Sequence, residues 1–344
     1  MSALDWFANK SSQFDTKVFS GKSDKYLHLS TDTAVSLINP ELKFLHPYRE
    51  VLASAVENSL DFIREIILSL PEAVFISASE WHSSPFLRAF FASESDIPVI
   101  MRGSKNLRVF LDKHPRLDRV WLILDMNVSE KDAAAEMSLL GSDVCKDRFQ
   151  KTVNFSDHKI HICGADEAEA HRLFGAQCFE YLVAQALHDI SQRRTERQDL
   201  EEERAMLRAR LRSFQQRGSG PVFNPTPEKS EEKMKLDALL LENERQMRAG
   251  SSTQSALESE LECLRDVLKN PGRFIFFENK QQRLNRMNVI VSKQSLEAAS
   301  DVSYSLIRLM GTFRARKACV VAHFSRNEMP EVVRANFADA ARYL

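Results

Sequence analysis

Apolar positions follow two rhythms along this chain, and the places where the rhythm changes mark its parts. From Leu173 to Ile190 they fall on almost every side of a helix, among them Phe174, Phe179, Tyr181, Leu182 and Val183. A helix that is apolar all round belongs inside a globular body. Asp166 with Glu169 three residues later, just after Gly164, reads as its capping-box start. Beyond Ile190 the pattern thins to Leu200, Leu207, Leu211 and Phe214, a seam set among Arg and Glu at heptad-like spacing.

The stretch GSGPVFNPTP (218–227) cannot continue that helix, because its prolines remove donors and its glycines favour a turn. A second seamed arm follows: Leu236, Leu240 and Met247, then Leu257, Leu261, Leu264 and Leu268. It is interrupted near Ala249–Gly250–Ser251–Ser252. The first arm, 191–217, carries eight Arg against five acids, and 228–269 carries seven bases against ten acids. Opposite charge favours pairing of the two arms with each other. A parallel dimer through each arm is the competing arrangement.

Shorter patterns frame this hairpin. An amphipathic helix is expected from Pro47 to Leu70, with short helical pieces at 85–92 and 107–113. Strands are expected at Val74–Ile76, Asp118–Asn127, Arg273–Phe277, Val289–Val291 and Ala318–Phe324. Ser156–Asp157 reads as the turn of a β-hairpin made by 152–155 and 159–163. Residues 278–288 read as a basic connection, Ser295 to Met310 as a helix, and 331–344 as a closing helix. The fold class is α/β (α+β): a globular body with a mixed or antiparallel sheet, interrupted by a long antiparallel helical hairpin. The parts are a partly ordered arm (1–43), an α/β first half (44–165), the coiled-coil hairpin (166–269) and a basic α/β end (270–344).

Composition adds a charge gradient. The net charge is −1, yet residues 271–344 hold twelve bases against six acids. That asymmetry suits a nucleic-acid or acidic partner, or the packing of one end of the chain on the other. The five cysteines are widely spaced and odd in number, which argues for a reducing cytoplasm. No secretory signal and no membrane span is legible.

Chemistry is thin. Asp157, His158, His161, Cys163 and His171 are the densest run of metal-ligand types, but strand alternation would turn His158 away from His161 and Cys163. Neither a nucleophile elbow nor a phosphate-cradling glycine loop is present. No catalytic residue, metal ligand or cofactor is assigned. The basic positions Arg273, Lys280, Arg283, Arg286, Arg314, Arg316 and Lys317, interleaved with Phe276, Phe277 and Phe313, form the set that would contact anions or nucleic acid. The first functional expectation is a cytoplasmic coiled-coil scaffold, adaptor or assembly protein that binds a protein partner or itself. The second is nucleic-acid binding by the basic third, and the third is a small-ligand sensor or enzyme.

Overall fold

Strand β2 (Arg119–Asp132) has two apolar faces, because Val120, Leu122, Leu124 and Met126 alternate with Trp121 and Ile123. A strand with both faces covered needs a layer on each side. The computed structural model describes residues 24–132, 151–217, 227–250, 256–312 and 314–329, and it supplies both layers. The body is a mixture of helices and a largely antiparallel sheet, ordered β3-β2-β6-β5-β4. Its members are β3 (Lys151–Gly164), β4 (Ile275–Leu284), β5 (Ser300–Leu309) and β6 (Ala315–Ser325). Short β1 (Val74–Ile76) runs parallel to β6 at Ala322–Phe324, just past the residues that pair with β5.

One face packs against α1 (Asp24–Ile38), α2 (Tyr48–Ser69), the start of α6 (Glu167–Arg217) and α8 (Ala256–Lys269). Ile123, Ile162, Cys319 and Val321 supply the sheet side. The other face closes over α3 (Pro85–Phe90), α4 (Asp96–Gly103) and α5 (Lys105–Lys113), whose Leu87, Phe90, Phe91, Met101 and Leu107 meet Leu122, Tyr304, Leu306 and Val320. Fully burying side chains of this kind is worth roughly 1.5–3 kcal/mol each, so the two cores dominate stability.

The sheet also curls toward closure. Val153 N donates to Asn288 O, Ile290 N to Lys151 O and Val291 N to Arg283 O, at 2.9, 2.7 and 2.8 Å. Segment 288–291 thus touches both outer strands, β3 and β4. The rings of Phe155 and Tyr304 meet inside at 5.2 Å.

Several expectations match this arrangement. A variant of the capping box stands at the start of α6: Glu169 N donates to Asp166 Oδ1, and the Glu169 carboxylate reaches back to accept from Ala165 N, one residue before Asp166, both at 2.6 Å. The approach there is close, since a Cβ on Gly164 would lie 2.8 Å from the backbone N of Ala170. As the pattern requires, Phe174, Phe179, Tyr181, Leu182 and Val183 are buried.

Others are corrected. Ser300–Leu309 is strand β5, not part of a helix: Val302, Tyr304 and Leu306 face one core while Ile307 and Leu309 face the other. That is the two-residue period of a strand paired on both edges. Residues 152–163 form one strand, not a hairpin, because Asp157 takes a positive φ of 52° and the ladder shifts register there. A short polar side chain tolerates that conformation, which makes the pair a bulge. The basic connection is largely strand, since β4 continues to Leu284. Val289–Val291 makes only isolated bridges. Residues 24–38, read as irregular, are helix α1 with Ala34 and Val35 fully buried. The arm turn up to Thr226, Ser251–Ser252 of the interruption, and the expected helix at 331–344 lie outside the described residues, whereas Pro227 opens helix α7 (Pro227–Gly250) and Ala249–Gly250 close it. No helix among the described residues is long and apolar enough to cross a membrane.

Candidate functional site

The basic residues singled out from the sequence lie at two ends of β4 and β5, with Lys280 and Lys317 between them. Lys280 on β4 pairs with Glu130 of β2 at 3.3 Å. Lys317 donates to Asn127 Oδ1 at 2.6 Å and to Asp157 Oδ2 at 3.2 Å. Arg273, Arg314 and Arg316 are exposed at one end of the β4-β5-β6 ladder, where Leu309 pairs with both Ile275 and Ala315 and Arg308 with both Phe276 and Arg316. Phe276 is exposed, with the Arg308 guanidinium 3.9 Å from its ring. Phe277 is half-buried, and Phe313 lies outside the described residues.

Arg283 and Arg286 are brought together. They line a cavity of about 380 Å³ between α3 and the connection from β4 to β5, joined by Arg88. Arg88 was invisible in the sequence because it lies nearly 200 positions away; only the fold brings α3 to that loop. The loop is held by its asparagines. Asn285 Oδ1 accepts from Met287 N and Val289 N, both at 2.9 Å, and its Nδ2 donates to Glu297 Oε1 at 2.6 Å. Asn288, with a positive φ of 56°, donates Nδ2 to Ala89 O at 2.8 Å and so fastens the loop to α3.

A second, smaller cavity of about 50 Å³ lies beneath the start of α6, lined by Asp125, Gln177, Cys178, Tyr181 and Lys317 with apolar neighbours. Asp125 is 8 % exposed. Burial pushes its carboxyl up to about 7, against the opposing pull of the Cys319 thiol hydrogen bond and the Lys317 charge. Burial likewise pushes the Cys163 and Cys178 thiols up to about 12, which leaves little of the thiolate that nucleophilic attack needs.

The histidine run separates. His158 bonds Phe90 O at 2.8 Å and stacks on Phe91, whereas His161 lies beside Asp125. Among the described residues no group of three or more His, Cys, Asp and Glu is placed to hold a metal.

The seam residues lie as follows. Leu207, Leu236, Leu261, Leu264 and Leu268 are buried, and Leu200, Leu211, Leu240, Met247 and Leu257 are half-buried. The side chain of Phe214 lies outside the described residues. Between α6 and α7 (Pro227–Gly250), Asn243 Nδ2 donates to Leu200 O at 3.1 Å and to Glu203 Oε2 at 2.9 Å. Glu244 receives Arg208 at 3.3 Å. Further back, Glu260 of α8 accepts from Arg194 Nε at 2.6 Å and from Asn39 at 2.9 Å, tying α6, α8 and the end of α1. Asn243 was missed in the sequence because a polar residue inside a leucine pattern looks like a gap. No protein-family model matches this chain, and neither a curated protein nor a solved structure matches it.

Proposed function

We propose that α6 and α7 pair as an antiparallel coiled-coil hairpin, and that this hairpin is the contact element of an intracellular scaffold or assembly protein. Its occupant is a second copy of this chain. The cross-helix bonds of Asn243 and the burial of Leu207 and Leu236 support the pairing. A buried Asn at a seam position sets register at some expense of stability.

The observation that carries the reading is the outer face of α7. Met234 and Leu241, seven residues apart, are each 70 % exposed. Residues at that spacing share a helix face, so they form an apolar pair turned away from the seam. The surplus of Arg on 191–217 and the surplus of acids on 228–269 are met first within the hairpin, as in Arg208–Glu244, and match again when a second hairpin lies antiparallel on the first.

Sedimentation equilibrium of the full chain tests this. A dimer or larger species is expected, weakened by high salt and by Met234→Lys with Leu241→Lys. A monomer at every concentration, or association indifferent to the double substitution, refutes it.

A further inference from the structure

The cavity between α3 and the β4–β5 connection has the make-up of an anion site. Arg88, Arg283 and Arg286 line it against one carboxylate, Glu297, which already accepts from Asn285. Asp301 is the ladder partner of Arg283, yet among the described residues neither it nor any other carboxylate forms an ion pair with the three arginines. Arg88 is braced by a 2.5 Å bond from Nη1 to His82 O and keeps its other donors. Guanidinium groups present forked donors that match phosphate oxygens two at a time.

Size separates the anions. A lone phosphate would leave most of the 380 Å³ empty, whereas that volume is within the usual range for small-molecule sites. The walls also suit an organic part, since Leu284 and Val302 lie at the floor and Leu296 at the rim. We propose that this pocket binds a phosphorylated small molecule about the size of a nucleoside diphosphate. Arg283 and Arg286 hold its phosphates, and Arg88 approaches from α3. The site belongs to the body and does not depend on the helical hairpin. A nucleic-acid strand is the poorer occupant: Arg273, Arg314 and Arg316 gather at the opposite end of β4 and β5 from the pocket, and Lys280 and Lys317 between them are engaged by Glu130 and Asp157.

Isothermal titration calorimetry on the full chain, with ADP and inorganic pyrophosphate as separate probes, decides the matter. Saturable binding of at least one probe is expected. It should weaken about tenfold or more on Arg283→Gln and on Arg286→Gln, and be unchanged by Arg273→Gln, an exposed arginine outside the pocket. Arg286 is itself exposed, so its variant keeps the fold, which a thermal melt verifies. Preference for ADP over pyrophosphate assigns the apolar walls to the organic part; equal binding assigns the affinity to the phosphates, and either supports the site. Binding of neither probe, equal loss with Arg273→Gln, or tighter and steeply salt-dependent binding of a single-stranded oligonucleotide overturns it.

Discussion

Asp125 and Cys319 face one another across the β2–β6 ladder, and the thiol donates to the buried carboxylate. Cys178 and Lys317 approach the same carboxyl, and His161 Nε2 lies 3.8 Å from it. Among the described residues no arginine pairs with Asp125; burial governs its titration and holds its proton up to about 7.

The sign of the pH effect follows. The folded chain keeps a proton at Asp125 that the unfolded chain releases near pH 4. This group's contribution to stability is therefore complete below that value and is lost as pH rises to about 7. Asp125→Asn should remove the decline, so the variant gains on the wild type by at most about 1.4 kcal/mol per pH unit within the window. Urea midpoints of both proteins across that range measure it. Parallel curves would mean the carboxyl ionises in the folded state as it does in water.

The turn between β5 and β6 is fastened to α6 by two backbone donors. Gly311 N reaches Tyr181 Oη at 3.2 Å and Thr312 N reaches Gln185 Oε1 at 2.9 Å. A Cβ at Gly311 would overlap Gln185 and come within 3.0 Å of Tyr181 Oη. Gly311→Ala should cost about 1–3 kcal/mol through overpacking, read as a lowered denaturation midpoint. Pairing it with Gln185→Ala should recover part of the loss, because the side chain in the way is gone. Equal stability of Gly311→Ala and wild type would show that the turn can move aside.

Asn243→Leu tests the seam. It replaces a buried amide by a side chain that suits the surrounding leucines, so the helices should melt at higher temperature while the pairing loses its fixed register. Circular dichroism melts and sedimentation velocity on the same sample report the two effects. A lowered melting temperature with one sharp species would mean that the bonds to Leu200 and Glu203 outweigh apolar burial.

Legibility in the sequence followed how local the deciding force was. The capping box of α6, the apolar girth of its first turns and strand β2 could be read, because neighbours in the chain determine them. Helix α1 was hidden because its buried face includes Ser30 and Thr31, and Thr31 satisfies its hydroxyl on Leu27 O. Such small polar residues erase the apolar stripe. Strand β5 was hidden because its residues also fit a helical spacing, and only pairing with β4 and β6 decides between the two. Of the arginine pocket, Arg283 and Arg286 stood out and Arg88 did not, since nothing near it in the chain announces a partner on a distant loop.

Segment 288–291 has one more effect. A strand at the margin of a sheet normally offers a row of open donors and acceptors on which another molecule can template. Here the two outermost strands share a common cover at one end, so addition of a further strand to those edges is blunted there. The contact between copies proposed for the outer face of α7 therefore meets no competing strand pairing at that end.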